Sequence, residues 1–172
     1  MSKLFTLIIL LFLPLILIAD ENQKYTLSTG DEIRIQVHRQ SDLTLEIRLD
    51  DDGIISYPFL GEIKVKGLSL GEIEEKIRNG LHPDYIINPD VNVSIIQYRP
   101  IFINGQVNRP GAYPFQPGLT VQQAVSLAGG FTERAAQDKI YIIRKPSKNK
   151  RRVKKATYVQ PDDNLIIEES FF

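Results

Sequence analysis

The segment from Gly105 to Gly130, GQVNRPGAYPFQPGLTVQQAVSLAGG, constrains the fold of this chain more than any other stretch. It carries the signals of a turn, a returning strand and a helix in that order. Arg109-Pro110-Gly111-Ala112 predicts a type II turn, because Pro110 fixes φ at the second position and Gly111 accepts a positive φ at the third. The segment contains no cysteine, histidine or acidic residue. It therefore predicts a scaffold rather than a reactive site.

The second part of this segment predicts a helix with both ends marked. Thr120 is an N-cap residue, and Gln123 three positions later completes a capping box. Gly129 and Gly130 stop the helix. Its buried stripe consists of small and branched apolar residues: Val121, Ala124, Val125 and Ala128. Strand patterns precede it (IFINGQV, AYPF) and follow it (KIYIIRK, DNLIIEESFF). This order predicts an α+β module of the β-grasp, or ubiquitin-like, type.

The first half of the chain is also predicted to be α+β, with short strands around one helix. Ile33, Ile35 and Val37 alternate with polar residues, which indicates a strand with one buried face. Asp52-Gly53 is a strong hairpin signal between neighbouring strands. A helix is predicted over 70–79, with Ser69 as its N-cap and Asn79-Gly80 as its end. NPDVNVSIIQY adds a further strand.

Two distant segments resemble each other locally. LSTGDEIRI (27–35) and VQPDDNLII (159–167) are both turn-then-strand units. We interpret them as similar local structure rather than as a true internal repeat.

Composition narrows the function classes. The chain has 172 residues, with 21 Lys+Arg against 21 Asp+Glu, so no global charge draws it to nucleic acid or to a membrane. Because it has no cysteine, disulfides, thiol catalysis and cysteine-ligated metals are excluded. Lys3 followed by the apolar run LFTLIILLFLPLILIA predicts a signal peptide over residues 1–19. Retention of this segment as an N-terminal anchor is the alternative.

Three motifs that suggest chemistry have simpler structural interpretations. GLSLG (67–71) matches the nucleophile elbow of hydrolases, but Ser69 followed by Glu72 is equally a capping box. The consecutive carboxylates of DDDG (50–53) predict a solvated turn rather than a calcium loop. His38 and His82 lack the spacing of metal ligands. No catalytic residue, metal site or cofactor is predicted.

The run KPSKNKRRVKK, 145–155, is the strongest charge cluster. It is either a solvated hairpin loop or a contact for an anionic polymer, a lipid headgroup or an acidic partner. No aromatic residue is interleaved with it, so nucleic acid is not an expected ligand. The candidate contact residues are Lys148, Lys150, Arg151 and Arg152.

Five segments, in order, resemble the bacterial polysaccharide export proteins. YTLSTGDEIRIQV, DGIISYPFLGEIKVKGLSLGEIEEKI and PDVNVSI resemble the export domain of that family. INGQVNRPGAYPF, with GLTVQQAVSLAGGFTERA, resembles its soluble-ligand-binding β-grasp module. VQPDDNLIIEESFF resembles its closing strand motif P-G-D, with Asp162 or Asp163 where glycine is usual.

The resemblance implies a domain organisation. An export domain is expected over residues 24–98 and a β-grasp module over 99–148. A basic loop and a closing strand are expected over 149–172.

The resemblance also implies a function without catalysis in the export of a capsular polysaccharide or an exopolysaccharide. A soluble periplasmic carbohydrate-binding or sensing module is the alternative. The implied location is the periplasm, with possible outer-membrane association. The implied partners are the polysaccharide, further copies in a ring, an inner-membrane polysaccharide co-polymerase and a separate outer-membrane barrel protein. The chain is expected to be a short member that does not form the outer-membrane pore itself.

Overall fold

The computed structural model describes residues 25–170, and the predicted signal peptide lies outside these residues. The described part contains two helices and ten strands. The elements of the N-terminal half, residues 25–97, are β1 Glu32–Val37, β2 Gln40–Arg48, β3 Ile54–Tyr57, β4 Gly61–Lys64, α1 Leu70–Leu81 and β5 Val91–Gln97. Those of the C-terminal half, residues 101–170, are β6 Ile101–Gly105, β7 Gly111–Tyr113, α2 Val121–Leu127, β8 Ala135–Ile143, β9 Arg151–Val153 and β10 Asn164–Glu169.

The N-terminal half is a small antiparallel sheet covered by one helix. The strand order is β2-β1-β5, and β3 and β4 form a separate hairpin. The predicted alternation along β1 is confirmed, since Ile33, Ile35 and Val37 are all buried. They share one core with the buried face of α1. Each fully buried isoleucine contributes roughly 1.5–3 kcal/mol of transfer free energy to this core.

Helix α1 begins as predicted and ends later than predicted. Ser69 and Glu72 form both halves of the capping box. Gly80 does not end the helix, which continues to Leu81. A Cβ on Gly80 would lie 2.8 Å from a side-chain carbon of Leu60, so Gly80 packs closely against that leucine. The helix ends before Pro83, which holds the preceding residue in an extended conformation.

The hairpin expected at Asp52-Gly53 is not formed. β2 and β3 belong to different sheets, and β3 instead pairs with β4 through a turn at 58–60. The Asp50 carboxylate accepts a hydrogen bond from the Gly53 amide at 3.0 Å, and Gly53 has φ +64°. This local turn redirects the chain from one sheet to the next instead of folding it back on itself.

The C-terminal half has the β-grasp topology. Its strand order is β7-β6-β10-β8-β9, with β6 and β10 parallel at the centre and a hairpin on either side. The closing strand is therefore the middle of the sheet rather than an addition to its edge. Val121, Ala124 and Val125 of α2 are buried in the core beneath this sheet. The predicted α+β class is confirmed for both halves.

The type II turn predicted at Arg109–Ala112 is wrong. Gly111 is the first residue of β7, and its φ is not positive. The positive φ lies instead at Gly105, +88°, where an added Cβ would come within 2.0 Å of the Ile167 carbonyl oxygen. The reversal is spread over a longer loop, because the Arg109 amide donates to the Ala128 carbonyl at 2.9 Å.

The ends of α2 are confirmed. The Thr120 hydroxyl accepts from the Gln123 amide, and the Gln123 side chain accepts from the Thr120 amide at 2.9 Å. Gly129, with φ +81°, follows the C-cap residue. Its amide donates to the Ser126 carbonyl at 3.0 Å, which satisfies one of the free carbonyls at the helix end.

The similarity of the two turn-then-strand units is confirmed in detail. In the first, Asp31 accepts a hydrogen bond from the Ser28 amide at 2.9 Å. In the second, Asp163 accepts from the Gln160 amide at 2.7 Å. Both aspartates are 0% exposed. Gly30 and Asp162 occupy equivalent positions, with φ +92° and +70°.

Within residues 25–170, no helix is both long enough and apolar enough to cross a membrane.

Replacement of Ser69 by alanine tests the capping interpretation. We expect Ser69→Ala to lower the free energy of unfolding by about 1 kcal/mol, because it removes the side-chain acceptor of the Glu72 amide. Urea denaturation of the full chain measures the change. Ser126→Ala is the control, since that exposed hydroxyl near the C-terminus of α2 donates to the Gln122 carbonyl, and we expect a change within about 0.5 kcal/mol. Equal stability of the Ser69 variant and the native chain would contradict the assignment.

Substitution of Asp162 tests how much its left-handed backbone conformation lowers the free energy of unfolding. We expect Asp162→Gly to change the free energy of unfolding by no more than about 0.5 kcal/mol. The relief of strain is offset by the roughly 0.5–1 kcal/mol of entropy that glycine loses and by the loss of the Lys145–Asp162 ion pair, which contributes about 0–1 kcal/mol. Asp162→Ala relieves no strain and should lower stability by about 1 kcal/mol. If alanine were as stable as glycine in thermal melts, strain would not control this position.

Candidate functional site

The predicted basic cluster lies on the hairpin between β8 and β9. β9 is an edge strand of the C-terminal sheet. Tyr141 pairs with Arg152, and Ile142 with Arg151. Because neighbouring side chains of a strand point to opposite faces, Arg151 and Arg152 lie on different faces of the sheet. The structure therefore divides the four candidate residues instead of presenting them as one patch.

Lys150 and Arg152 have their charges compensated. Lys150 forms an ion pair with Glu168, and its Nζ lies 4.5 Å from the centroid of the Tyr141 ring. Arg152 pairs with Asp138 at 2.8 Å and donates to the Asp138 carbonyl at 3.0 Å. These two side chains serve first to hold the edge strand against its neighbours.

Lys148 and Arg151 remain as available cations. Neither has an ion pair or a side-chain hydrogen bond within residues 25–170. Arg151 borders a depression of about 400 Å³ that Lys145, Ser147 and Asn149 also line. The Ser147 hydroxyl accepts from the Asn149 amide at 3.1 Å, which shapes the loop. The depression therefore presents the guanidinium of Arg151, unpaired within residues 25–170, to an anionic group.

The base of this loop is held by a buried ion pair. Arg144 donates to both carboxylate oxygens of Asp163 at 2.7 Å each, and Asp163 is 0% exposed. Lys145, next in the chain, pairs with Asp162 at 2.9 Å. A bidentate arginine–carboxylate pair fixes orientation as well as distance. The loop is therefore positioned by β10, the central strand.

Sequence reasoning missed an exposed aromatic pair in the N-terminal half. Phe59 and Tyr85 stack with ring centroids 4.7 Å apart, and they are 63% and 51% exposed. Phe59 also has φ +67°, which is rare for a bulky residue. One signal was present in the sequence: a large aromatic in a turn, between Pro58 and Gly61, where polar residues are usual.

The junction of the two halves contains a titratable group whose pKa the fold perturbs, the Tyr25 hydroxyl. The Tyr25 hydroxyl donates to the Asp31 carboxylate at 2.6 Å, and Arg99 pairs with the same carboxylate at 3.3 Å. Burial, followed by the Asp31 hydrogen bond and charge, raises the pKa of Tyr25 far above its ordinary value. Burial also raises the pKa of Tyr57. Both groups are structural, because their hydroxyls are used inside the fold.

The motifs that suggested catalysis or metal binding in the sequence also have structural roles within residues 25–170. Ser69 is 1% exposed, and its hydroxyl donates to the Glu72 carboxylate, so it is not presented as a nucleophile. The His82 Nδ1 lies 2.6 Å from the Ile87 carbonyl oxygen. No group of three His, Asp or Glu side chains within residues 25–170 is placed to hold a metal ion.

Two family models match consecutive parts of the chain. Residues 19–96 match the family described as polysaccharide biosynthesis/export protein, and residues 100–154 match the SLBB domain. The two matches meet where the chain passes from the N-terminal sheet to the C-terminal sheet.

Relatives were found among characterised proteins of several bacteria. The exopolysaccharide production protein ExoF of Rhizobium meliloti is 32% identical over 124 residues, which cover 65% of this chain and 29% of that protein. The polysialic acid transport protein KpsD of Escherichia coli is 28% identical over 94 residues, 54% of this chain and 17% of that protein. The EPS I polysaccharide export outer membrane protein EpsA of Ralstonia nicotianae is 31% identical over 81 residues, 45% of this chain and 21% of that protein. The chain thus spans less than a third of the length of each.

Tyr25, which is partly buried, and the buried Tyr57 predict a loss of stability in alkali. Their pKa values are raised in the folded state, whereas the unfolded chain releases these protons near the ordinary value of about 10. The contribution of these two tyrosines to the free energy of unfolding is therefore constant below about pH 10 and falls as the pH rises further. We expect the fall to be shallower in Tyr25→Phe, measured by urea denaturation at a series of pH values. Tyr158→Phe is the control, because Tyr158 is 67% exposed, and its profile should match the native one. An identical alkaline slope in Tyr25→Phe and the native chain would contradict the assignment.

Proposed function

Because the chain belongs to the bacterial polysaccharide export protein family, we propose that it takes part in the export of a capsular polysaccharide or an exopolysaccharide. The observation that carries the proposal is the pair of consecutive family matches, over residues 19–96 and 100–154. The names of the relatives, which concern exopolysaccharide production, polysialic acid transport and EPS I export, support it.

In this proposal the chain acts by binding and assembly rather than by catalysis. The relatives' names describe production, transport and export rather than a chemical reaction on the sugar. The buried, hydrogen-bonded state of Ser69 supports the same view, since this serine was the strongest candidate nucleophile in the sequence.

The finer proposal places the chain in the periplasm, as one copy in a homo-oligomeric ring. The ring would stand in line with an inner-membrane polysaccharide co-polymerase and a separate outer-membrane barrel protein. Exposed strand edges offer pairing surfaces between copies. In the C-terminal sheet these edges belong to β7 and β9.

We further propose that Lys148 and Arg151 contact the polymer or an acidic partner, while Lys150 and Arg152 support the hairpin. The first two have no ion pair within residues 25–170, whereas the second two are paired with Glu168 and Asp138. An anionic group entering the loop would therefore compete with no existing carboxylate at Arg151.

Deletion of the gene and complementation test both levels of the proposal. Deletion should abolish surface polysaccharide and leave the cellular pools of sugar nucleotides intact, because export rather than precursor synthesis is lost. Surface polysaccharide is measured by extraction and sugar analysis. Complementation with Lys148→Ala/Arg151→Ala should restore only roughly a tenth of the native amount, on the scale of about 1.4 kcal/mol of lost binding.

The matched control is Lys64→Ala/Lys76→Ala, which removes two exposed cations of the N-terminal half and should complement fully. Unchanged surface polysaccharide after deletion would contradict the role in export. Full complementation by the loop variant would contradict only the contact assigned to Lys148 and Arg151.

A further inference from the structure

The N-terminal sheet contains a large bulge beside its first turn. Val37 pairs with Gln40, and the next pair of the same two strands is Ile35 with Leu45. Between these pairs β1 contributes only Gln36, whereas β2 contributes residues 41–44. The excess residues bend β2 away from β1 and leave Gln36 without a partner on that side. Bulges of this kind often lie beside binding sites, where they redirect side chains.

The bulge is anchored in the core and is not a loose loop. Leu43, in its middle, is only 4% exposed. Its carbonyl accepts a hydrogen bond of 2.8 Å from the hydroxyl of Tyr57, which is itself 2% exposed. A buried side chain and a buried hydrogen bond therefore hold the bulged backbone in one shape.

The turn that leads into the bulge carries backbone strain. Arg39 has φ +60°, in the left-handed region that long side chains rarely adopt. The amide of His38, just before it, donates to the Asp90 carbonyl at 2.9 Å, which ties the turn to the start of β5. Strain of this kind persists where the surrounding structure determines the conformation, and it is concentrated at functional sites.

The bulge, the turn and the start of β5 together line an open cleft of about 640 Å³. Gln36 and Asn92, which both line the cleft, are neighbours because they are paired between β1 and β5. The cleft is lined largely by polar side chains with no side-chain hydrogen bond or ion pair within residues 25–170: Gln36, His38, Arg39, Gln40, Thr44 and Asn92.

We propose that this cleft binds a short segment of an acidic polysaccharide, an inference that rests on the proposed role in export. Side-chain amides such as those of Gln36 and Asn92 both donate and accept, which suits the neighbouring hydroxyls of a sugar ring. The guanidinium of Arg39 suits a carboxylate, which it binds through two parallel hydrogen bonds. Asp90 is the only carboxylate among the described residues of the lining. The carboxylate of a sugar acid is complementary in charge to Arg39.

The lining also argues against a protein partner at this cleft. Val37 is its single apolar side chain, and Val37 is only 4% exposed. A protein interface would need an apolar centre shielded from water. A polyhydroxylated ligand needs hydrogen-bonding groups at many points, which this cleft supplies.

Binding of polysaccharide fragments to the full chain tests the inference. The probe is the surface polysaccharide of the cells that carry the gene, partially depolymerised, in its native form and after chemical reduction of its carboxyl groups. Affinity is measured with the immobilised full chain. Arg39→Gly should weaken binding of the native fragments roughly tenfold or more, the scale of a charge-assisted pair. It should leave binding of the reduced fragments within about twofold of the native chain.

The same variant separates binding from folding. Because glycine accepts a positive φ without strain, Arg39→Gly should keep or raise the melting temperature while affinity falls. Gln36→Ala/Asn92→Ala should weaken both forms of the fragments, by roughly tenfold. Gln116→Ala is the matched control, since it removes an exposed amide in the C-terminal half, and its affinity should be native.

Three outcomes would overturn the inference: no binding of the fragments by the native chain, native affinity in both cleft variants, or equal affinity of the native chain for native and reduced fragments. None of them bears on the proposed role in export, which fails only if deletion of the gene leaves surface polysaccharide unchanged. The two proposals can therefore fail separately.

Discussion

The fold depends on two buried aspartates, Asp31 and Asp163, each at the start of a central strand. Each accepts a hydrogen bond from the backbone of its own turn and another from an arginine elsewhere in the chain. A carboxylate with 0% exposure is tolerated only when it is paired and hydrogen-bonded, and removal of the arginine from such a pair costs roughly 3–5 kcal/mol. The turns are thereby fixed, and with them the positions of β1 and β10, to which the other main strands are added.

The first of these pairs also joins the two halves of the molecule. Arg99 is the second residue after β5, and both its backbone amide and its side chain donate to Asp31. Its neighbour Tyr98 lies edge-on between Tyr25 of the N-terminal half and Phe115 of the C-terminal half, with ring centroids 5.2 and 5.3 Å away. The charged pair and the aromatic contacts thus act on the same short connection. The Asp31 turn is therefore linked to the junction by the hydrogen bonds that Arg99 donates to Asp31.

Features encoded by a few adjacent residues could be predicted from the sequence, whereas features that depend on distant residues could not. Both capping boxes were predicted because all their groups lie within four residues. The predicted end of α1 was wrong because Gly80 packs within the helix against Leu60, which is distant in the sequence. The turn at Gly111 was wrong because a contact with Ala128 spreads the reversal over a longer loop. The basic cluster was predicted from the sequence. Which of its side chains form ion pairs was not, because the partners Glu168 and Asp138 come from other strands.

Backbone strain distinguishes scaffold from candidate binding surfaces in this fold. Among the described residues, Arg39, Phe59 and Asp162 have a positive φ without being glycine. Asp162 has a local explanation, since short polar side chains tolerate this region and it replaces the glycine of the equivalent turn. Arg39 and Phe59 have no such explanation, and both are exposed at turns of the N-terminal half. Their conformations are imposed by anchored neighbours: the His38–Asp90 hydrogen bond in one case and the Leu60–Gly80 packing in the other. The surrounding fold thus determines both strained turns, and it places the Arg39 side chain in the lining of the cleft and the Phe59 ring against Tyr85.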